Sequence, residues 1–181
     1  MLQGIGETGL ARERRATPQR VADAWSREIV SGYGTDPRRI LARTMAARDH
    51  DLVLVRDIPF TSVCVHHLLP FGGTAHVAYL PGRRLVGLSK IARAVDALAR
   101  RLQLQERLTR QIVETLQESL RPLGSACVME AEHLCMSIRG PRKKGARVVT
   151  TAYTGVFRSR PALRLEFLRL ASARPGPRTR R

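Results

Sequence analysis

Residues 52–80 read LVLVRDIPFTSVCVHHLLPFGGTAHVAYL, a stretch in which no helical spacing of apolar residues can be traced. LVLVRDI, TSVCVHH and TAHVAYL are short and rich in β-branched residues, with Pro59, Pro70 and Gly72-Gly73 between them. These runs predict strands joined by turns, and RRLVGL (83–88) predicts another after Pro81-Gly82. On the N-terminal side, Thr17 and Pro18 predict an N-cap and first helical position, with Gly32 as the stop. Val21, Ala24, Trp25 and Ile29 then share a face, and a second short helix is expected over 38–48, after Asp36-Pro37.

On the C-terminal side, Ser89 is expected to cap a helix in which Ile91, Val95, Leu98 and Leu102 recur at helical spacing. A second helix is expected from Glu106 to Leu120, with Leu108, Ile112, Leu116 and Leu120 in register and Pro122 as its stop. ACVMEAEHLCMSIR (126–139) and ARVVTTAYTGVF (146–157) predict two more extended runs around the turn GPRKKG, while LRLEFLRLA (163–171) suits helix or strand. The fold class is therefore α+β, without a solenoid repeat. It divides into a helical lobe (1–50), a catalytic domain (51–170) and a basic tail (171–181) whose Pro and Arg content predicts disorder.

The composition of the 181 residues, 43% hydrophobic and 26% charged, excludes a disordered chain. No apolar run approaches the roughly 20 residues that span a bilayer, and MLQGIGETGL lacks the features of a secretory signal. Three cysteines are too few for a disulfide framework, so a cytoplasmic location is expected. The net charge of +17 is regional: residues 139–181 hold 13 Lys and Arg against Glu166 alone. Such an excess raises the alternative of a zinc-stabilised nucleic-acid-binding protein. Aromatics at 4% leave few stacking platforms for single strands, which argues against nucleic acid as the partner.

Chemistry concentrates in Cys64-Val65-His66-His67 and His133-Leu134-Cys135. Thiolate and imidazole together are preferred ligands of zinc. A strand would point His133 and Cys135 to one face, whereas Cys64 and His67 need a bend or bulge to converge. Spacing leaves open which of His66, His67 and His133 bind the ion; Cys127 reads as a small buried hydrophobe. Ser89, Lys90 and Arg93 at a helix start suit a phosphate, and Gln105-Glu106 at the next start suits a guanine-type N–H edge. Arg139 closes the run that bears Cys135.

TPQRVADAW, FTSVCVHHLLPF, HVAYLPG, VGLSKIAR, LQERLTRQI, EAEHLCMSIRG and RLEFLRL, in this order over about residues 17–170, closely resemble GTP cyclohydrolase I. The resemblance implies a T-fold: an antiparallel sheet with two helices inserted between strand pairs, preceded by a helical lobe. It also implies a toroidal homodecamer with active sites between subunits. Carried over by position, it assigns zinc (Zn2+) to Cys64, His67 and Cys135. His66, His133 and Ser89 become catalytic residues, Gln105 and Glu106 hold the guanine edge, and Lys90, Arg93 and Arg139 hold the triphosphate. The implied reaction adds zinc-activated water at C8 of GTP, releases formate and, after an Amadori rearrangement, gives 7,8-dihydroneopterin triphosphate. Val65 stands where many members of the family have Glu, and Gly140-Pro141 and 143–146 also depart from its commonest pattern. An inactive T-fold scaffold is a third reading, against which the intact ligand set, Ser89 and Glu106 weigh.

Overall fold

The computed structural model describes residues 11–173, a mixed α+β arrangement built on a five-stranded sheet. Helix α1 (Ala11–Ala24) runs through Pro18, so Thr17 and Pro18 lie inside the helix and do not start it. The proline removes one bond of the helical ladder. A π-helical turn (Trp25–Ile29) and a 3-10 turn (Ser31–Gly34) follow. Gly32, expected as the stop, lies inside the 3-10 turn, where its N–H donates to Arg100 O at 2.9 Å and a Cβ would lie 2.2 Å from Ala97 O. Of the expected face of this lobe, Ala24 and Trp25 are half-buried among the described residues, while Val21 and Ile29 remain exposed.

Asp36 caps α2 (Pro37–Leu41) by accepting from the Arg38 N–H at 3.0 Å, with Pro37 at the first position. The helix expected over 38–48 stops there. Thr44–Ala46 is instead strand β1, drawn out by antiparallel pairing with β4 (Arg84–Val86).

In the main sheet β2 (Val53–Cys64) runs unbroken through Pro59. A bulge between Val55 and Ile58, with Asp57 at φ 54°, marks the irregularity. Beyond its pairing with β3 (Pro70–Leu80), the only strand that β2 pairs with among the described residues is β5 (Leu102–Gln103), at Val63 and Cys64. Pro59 therefore sits on a free edge, where a missing N–H is tolerated. β3 (Pro70–Leu80) and β6 (Gly124–His133) form the centre, and β7 (Arg147–Tyr153) completes the order β5-β2-β3-β6-β7.

One face of the sheet carries α3 (Leu88–Ala99) and α4 (Gln105–Leu120). Their apolar stripes, including Ile91, Val95, Leu98, Leu108, Ile112 and Leu116, bury against Phe71, Val77, Tyr79 and Met129. Each such side chain contributes about 1.5–3 kcal/mol by leaving water, so this layer dominates the fold's stability. Ser89 is not the cap of α3. Gly87 is the N-cap, without a side-chain hydrogen bond, and Ser89 lies exposed in the first turn. On the opposite face α6 (Val156–Ser159) and α7 (Pro161–Ser172) bury Phe157 and Phe167 against Ala78 and Ala126. The ambiguous 163–171 is thus helical, while 174–181 lies outside the described residues.

Gly72 and Gly73, expected as a turn, lie within β3. At Gly73 the neighbouring strand explains the residue, because a Cβ would lie 1.9 Å from Glu130 O and 2.8 Å from Ala131 Cα. Both obstacles are backbone, so relief requires β3 and β6 to separate. Gly73→Ala should therefore lower stability by about 3 kcal/mol or more, read as a fall in the urea midpoint. A midpoint unchanged from wild type would show that the two strands are not so close.

Candidate metal and substrate site

Cys64 is the last residue of β2, and the chain reverses immediately after it. Leu68 N–H donates to Cys64 O and Cys64 N–H to Leu69 O, both at 2.9 Å, with Leu68 at φ 54°. Val65 is held by its own N–H on Gln103 O at 3.0 Å. This tight loop supplies the bend that the Cys64–His67 spacing required, and it brings Cys64 Sγ to 3.9 Å from His67 Nδ1.

The third donor arrives from another strand that finishes at the same end of the sheet. β6 stops at His133, and Leu134–Ser137 forms a single helical turn, α5, closed by Ile138 N–H on Leu134 O at 3.0 Å. The extended run expected through 126–139 is corrected here, and so is the shared strand face for His133 and Cys135. The turn sends the two side chains to different partners. Cys135 joins Cys64 and His67, their ligand atoms all lying within 4.8 Å of one another. His133 Nε2 instead reaches Gln105 Oε1 at 2.7 Å, and its ring stacks on Phe71 at 4.5 Å and 7°.

Two sulfurs and one imidazole nitrogen fit a borderline-soft divalent cation with an open fourth position. Burial and the neighbouring Cys64 push the Cys135 thiol up, while the more distant charge of Arg139 opposes this. Two thiols this close do not both ionise cheaply without a cation between them, which is what the donor set requires of its occupant. Cys127, fully buried at the sheet centre, has its thiol pushed up by burial alone and belongs to the core.

Around this group the candidate residues divide. His66 is exposed, its ring edge-on to His67 at 6.0 Å. Burial lowers the pKa of His133, and the charge of Glu106 opposes that, so Glu106 lies within electrostatic reach of the ring. Glu106 is exposed at the start of α4, whereas Gln105 beside it is buried with its side-chain amide engaged by protein groups. Ser89, Lys90 and Arg93 share the start of α3, and Arg139 is exposed just beyond α5. Among the described residues no hydrogen bond or ion pair joins these four to the Cys–His–Cys group. The 490 Å³ cleft beside Tyr33 and Arg101 and the 510 Å³ cleft beside Arg56 and His76 contain none of the site residues.

Reading residues along the chain missed two supports. Phe71 lies opposite His133 in the β3–β6 register, a neighbourhood that only strand pairing creates. Glu132 accepts from the Ser137 hydroxyl at 2.8 Å and from Gly145 N–H at 3.4 Å, and these two bonds hold its carboxyl below the usual range. It thereby ties α5 to the loop that bears Arg139; the Glu-to-Ser spacing of five carried no signal of its own.

A family model described as GTP cyclohydrolase I matches residues 1–172. The chain belongs to the GTP cyclohydrolase I family. It is 47% identical over 175 residues to a protein of Caldanaerobacter subterraneus subsp. tengcongensis named GTP cyclohydrolase 1, covering 96% of this chain and 93% of that one. Proteins with the same name are 47% identical in Deinococcus radiodurans, over 92% of this chain and 77% of that one, and 48% identical in a Geobacillus species, over 94% and 90%. Among solved structures, archaeosine synthase QueF-Like in the apo form is similar at a TM-score of 0.46 and 20% identity, covering 57% of this chain and 93% of that one.

For this family member the donor set makes a direct prediction. Purified protein supplied with a divalent metal should hold one ion per chain by elemental analysis. Cys135→Ala should weaken that binding by more than about 100-fold with the far-UV spectrum unchanged. Stoichiometric metal retained in the variant would place the ion elsewhere.

Proposed function

We propose that the chain is a zinc-dependent GTP cyclohydrolase I, converting GTP and water to 7,8-dihydroneopterin triphosphate and formate at the entry to tetrahydrofolate and pteridine synthesis. The observation that carries this reading is the convergence of Cys64, His67 and Cys135 beside His133, in a chain matched by the family over residues 1–172. The fold it implies is a T-fold, supported by an antiparallel β2-β3-β6-β7 sheet with α3 and α4 inserted between its two strand pairs.

Zinc held by Cys64, His67 and Cys135 would supply a water acidified toward neutral pH. The remaining work falls to side chains of this protein. Glu106, exposed and anionic at the start of α4, accepts the paired N–H groups of the guanine edge, with Gln105 buried beside it. Lys90, Arg93 and Arg139 pair with the triphosphate, and the Ser89 hydroxyl assists the water and ribose chemistry. His133 and His66 transfer protons as the imidazole ring opens, formate leaves and the new ring closes.

A decamer with sites between subunits is part of the same reading. It is supported by the exposure of His66, His67, Ser89, Arg93, Glu106 and Arg139 in the single chain. The apolar side chains Val21, Leu88, Val149 and Leu165, also left in water, support it further. No helix among the described residues is long and apolar enough to cross a membrane. We place the protein in the cytoplasm, where the free thiols of Cys64, Cys127 and Cys135 stay reduced.

Zinc-loaded protein given GTP should release formate and develop pterin absorbance in equal amounts, and chelation should abolish both. Zinc bound without either product would refute the proposal, and formate without pterin would implicate Val65. Arg139→Ala should raise KM for GTP about 10- to 100-fold with a smaller effect on kcat, as expected for a charge-assisted phosphate contact. An unchanged KM would remove Arg139 from the triphosphate site.

A further inference from the structure

Gln105 opens helix α4, a position that normally faces water, yet it is only 1% exposed. Its amide nitrogen lies 3.2 Å from Met129 O, 2.9 Å from Val148 O and 3.1 Å from Thr150 Oγ1. Backbone carbonyls only accept hydrogen bonds, so the NH2 end of the amide must face β6 and β7. The two threonines fix the remaining polarity. Thr109 spends its only hydroxyl proton on Gln105 O at 2.7 Å, so Thr150 must donate across the 2.6 Å contact to Thr109 Oγ1. Thr150 Oγ1 is thereby left to accept from Gln105. These contacts settle which end of the amide meets His133: it is the carbonyl oxygen Oε1, at 2.7 Å from Nε2.

An oxygen that only accepts demands an N–H opposite it. We infer that Gln105 is a positioning residue for His133, holding the ring in its Nε2–H form against Phe71 and leaving Nδ1 as the nitrogen without a partner among the described residues. The ring is then constrained at one edge by Gln105 and across one face by Phe71, itself 1% exposed. A buried, fully satisfied amide network of this kind is rigid, and it transmits the packing of β6 and β7 to the imidazole. It also leaves the guanine edge to Glu106, because the NH2 end of the Gln105 amide is turned to β6 and β7 and its Oε1 to His133.

The inference rests on His133 acting in the reaction, and a double-mutant cycle separates the possibilities. Gln105→Met should lower kcat for GTP by about 10- to 100-fold, with KM within about 3-fold of wild type and metal content unchanged. In a His133→Asn background the same change should cost no more than about 2-fold further, because its effect passes through the histidine. A raised KM with kcat preserved, or full additivity in the double variant, overturns the inference. A crystal structure of the metal-loaded wild-type enzyme with 7,8-dihydroneopterin triphosphate tests it without any substitution. Gln105 should keep His133 and its three acceptors while Glu106 takes the N–H edge. An amide turned toward the pterin refutes it. Absence of GTP turnover by the zinc-loaded wild type is a different result, one that strikes at the proposed function itself.

Discussion

The ladder between β3 and β6 is the constraint on which the rest of this structure depends. Ten consecutive positions pair, from Phe71 with His133 at one end to Leu80 with Gly124 at the other. Gly73 lets the two backbones approach where any side chain would meet Glu130 O, so the register is set by contact as well as by hydrogen bonds. The functional end of the ladder follows from where it stops. β2 and β6 both finish at the same end of the sheet, one in the reversing loop after Cys64 and the other in the helical turn of Cys135. Three ligand atoms from two separate segments therefore meet without a long loop to carry them.

The two faces of the sheet serve different ends. α3 and α4 seal one face with aliphatic side chains, and their N-terminal ends carry Ser89, Lys90 and Glu106. Packing that stabilises the domain thus also orients the groups proposed to receive substrate, since a helix anchored by Ile91 and Val95 or by Leu108 and Ile112 cannot rotate its first turn freely. The other face, covered by α6 and α7, holds Phe157 and Phe167 and none of the proposed chemistry.

What could be read along the chain was what depends on short-range pattern. Apolar spacing placed α4 to within a residue and α3 up to its end, where Leu102, read as helical, is strand β5 instead; β-branched runs placed the strands. Two failures share a cause: a neighbour distant in sequence overrode local preference. Thr44–Ala46 is strand because Arg84–Val86 lies beside it, and Gly72-Gly73 are strand because Glu132 and Ala131 of β6 pair with them. At the site, the bend between Cys64 and His67 was legible from their spacing of three. The turn at Leu134–Ser137 was not, for it is held partly by Ser137 on Glu132 and on His133 O within a run that reads as extended. Nor could the burial of Gln105 be seen, because its partners Met129, Val148 and Thr150 stand on two other strands.

The charge of +17 acquires a narrower meaning from these placements. Arg139, Arg142, Lys143 and Lys144 lie on one short loop, and the Glu132 carboxylate grips that loop through Gly145 N–H while gripping α5 through Ser137. A single buttress thus sets the position of Cys135, a proposed metal ligand, and of a cationic loop together. Lysines and arginines on a free loop would pay the entropy of ordering on meeting a polyanion. Cations carried on a loop braced in this way avoid part of that cost. That arrangement suits a small, highly charged ligand held at one point better than a nucleic-acid backbone tracked along a surface.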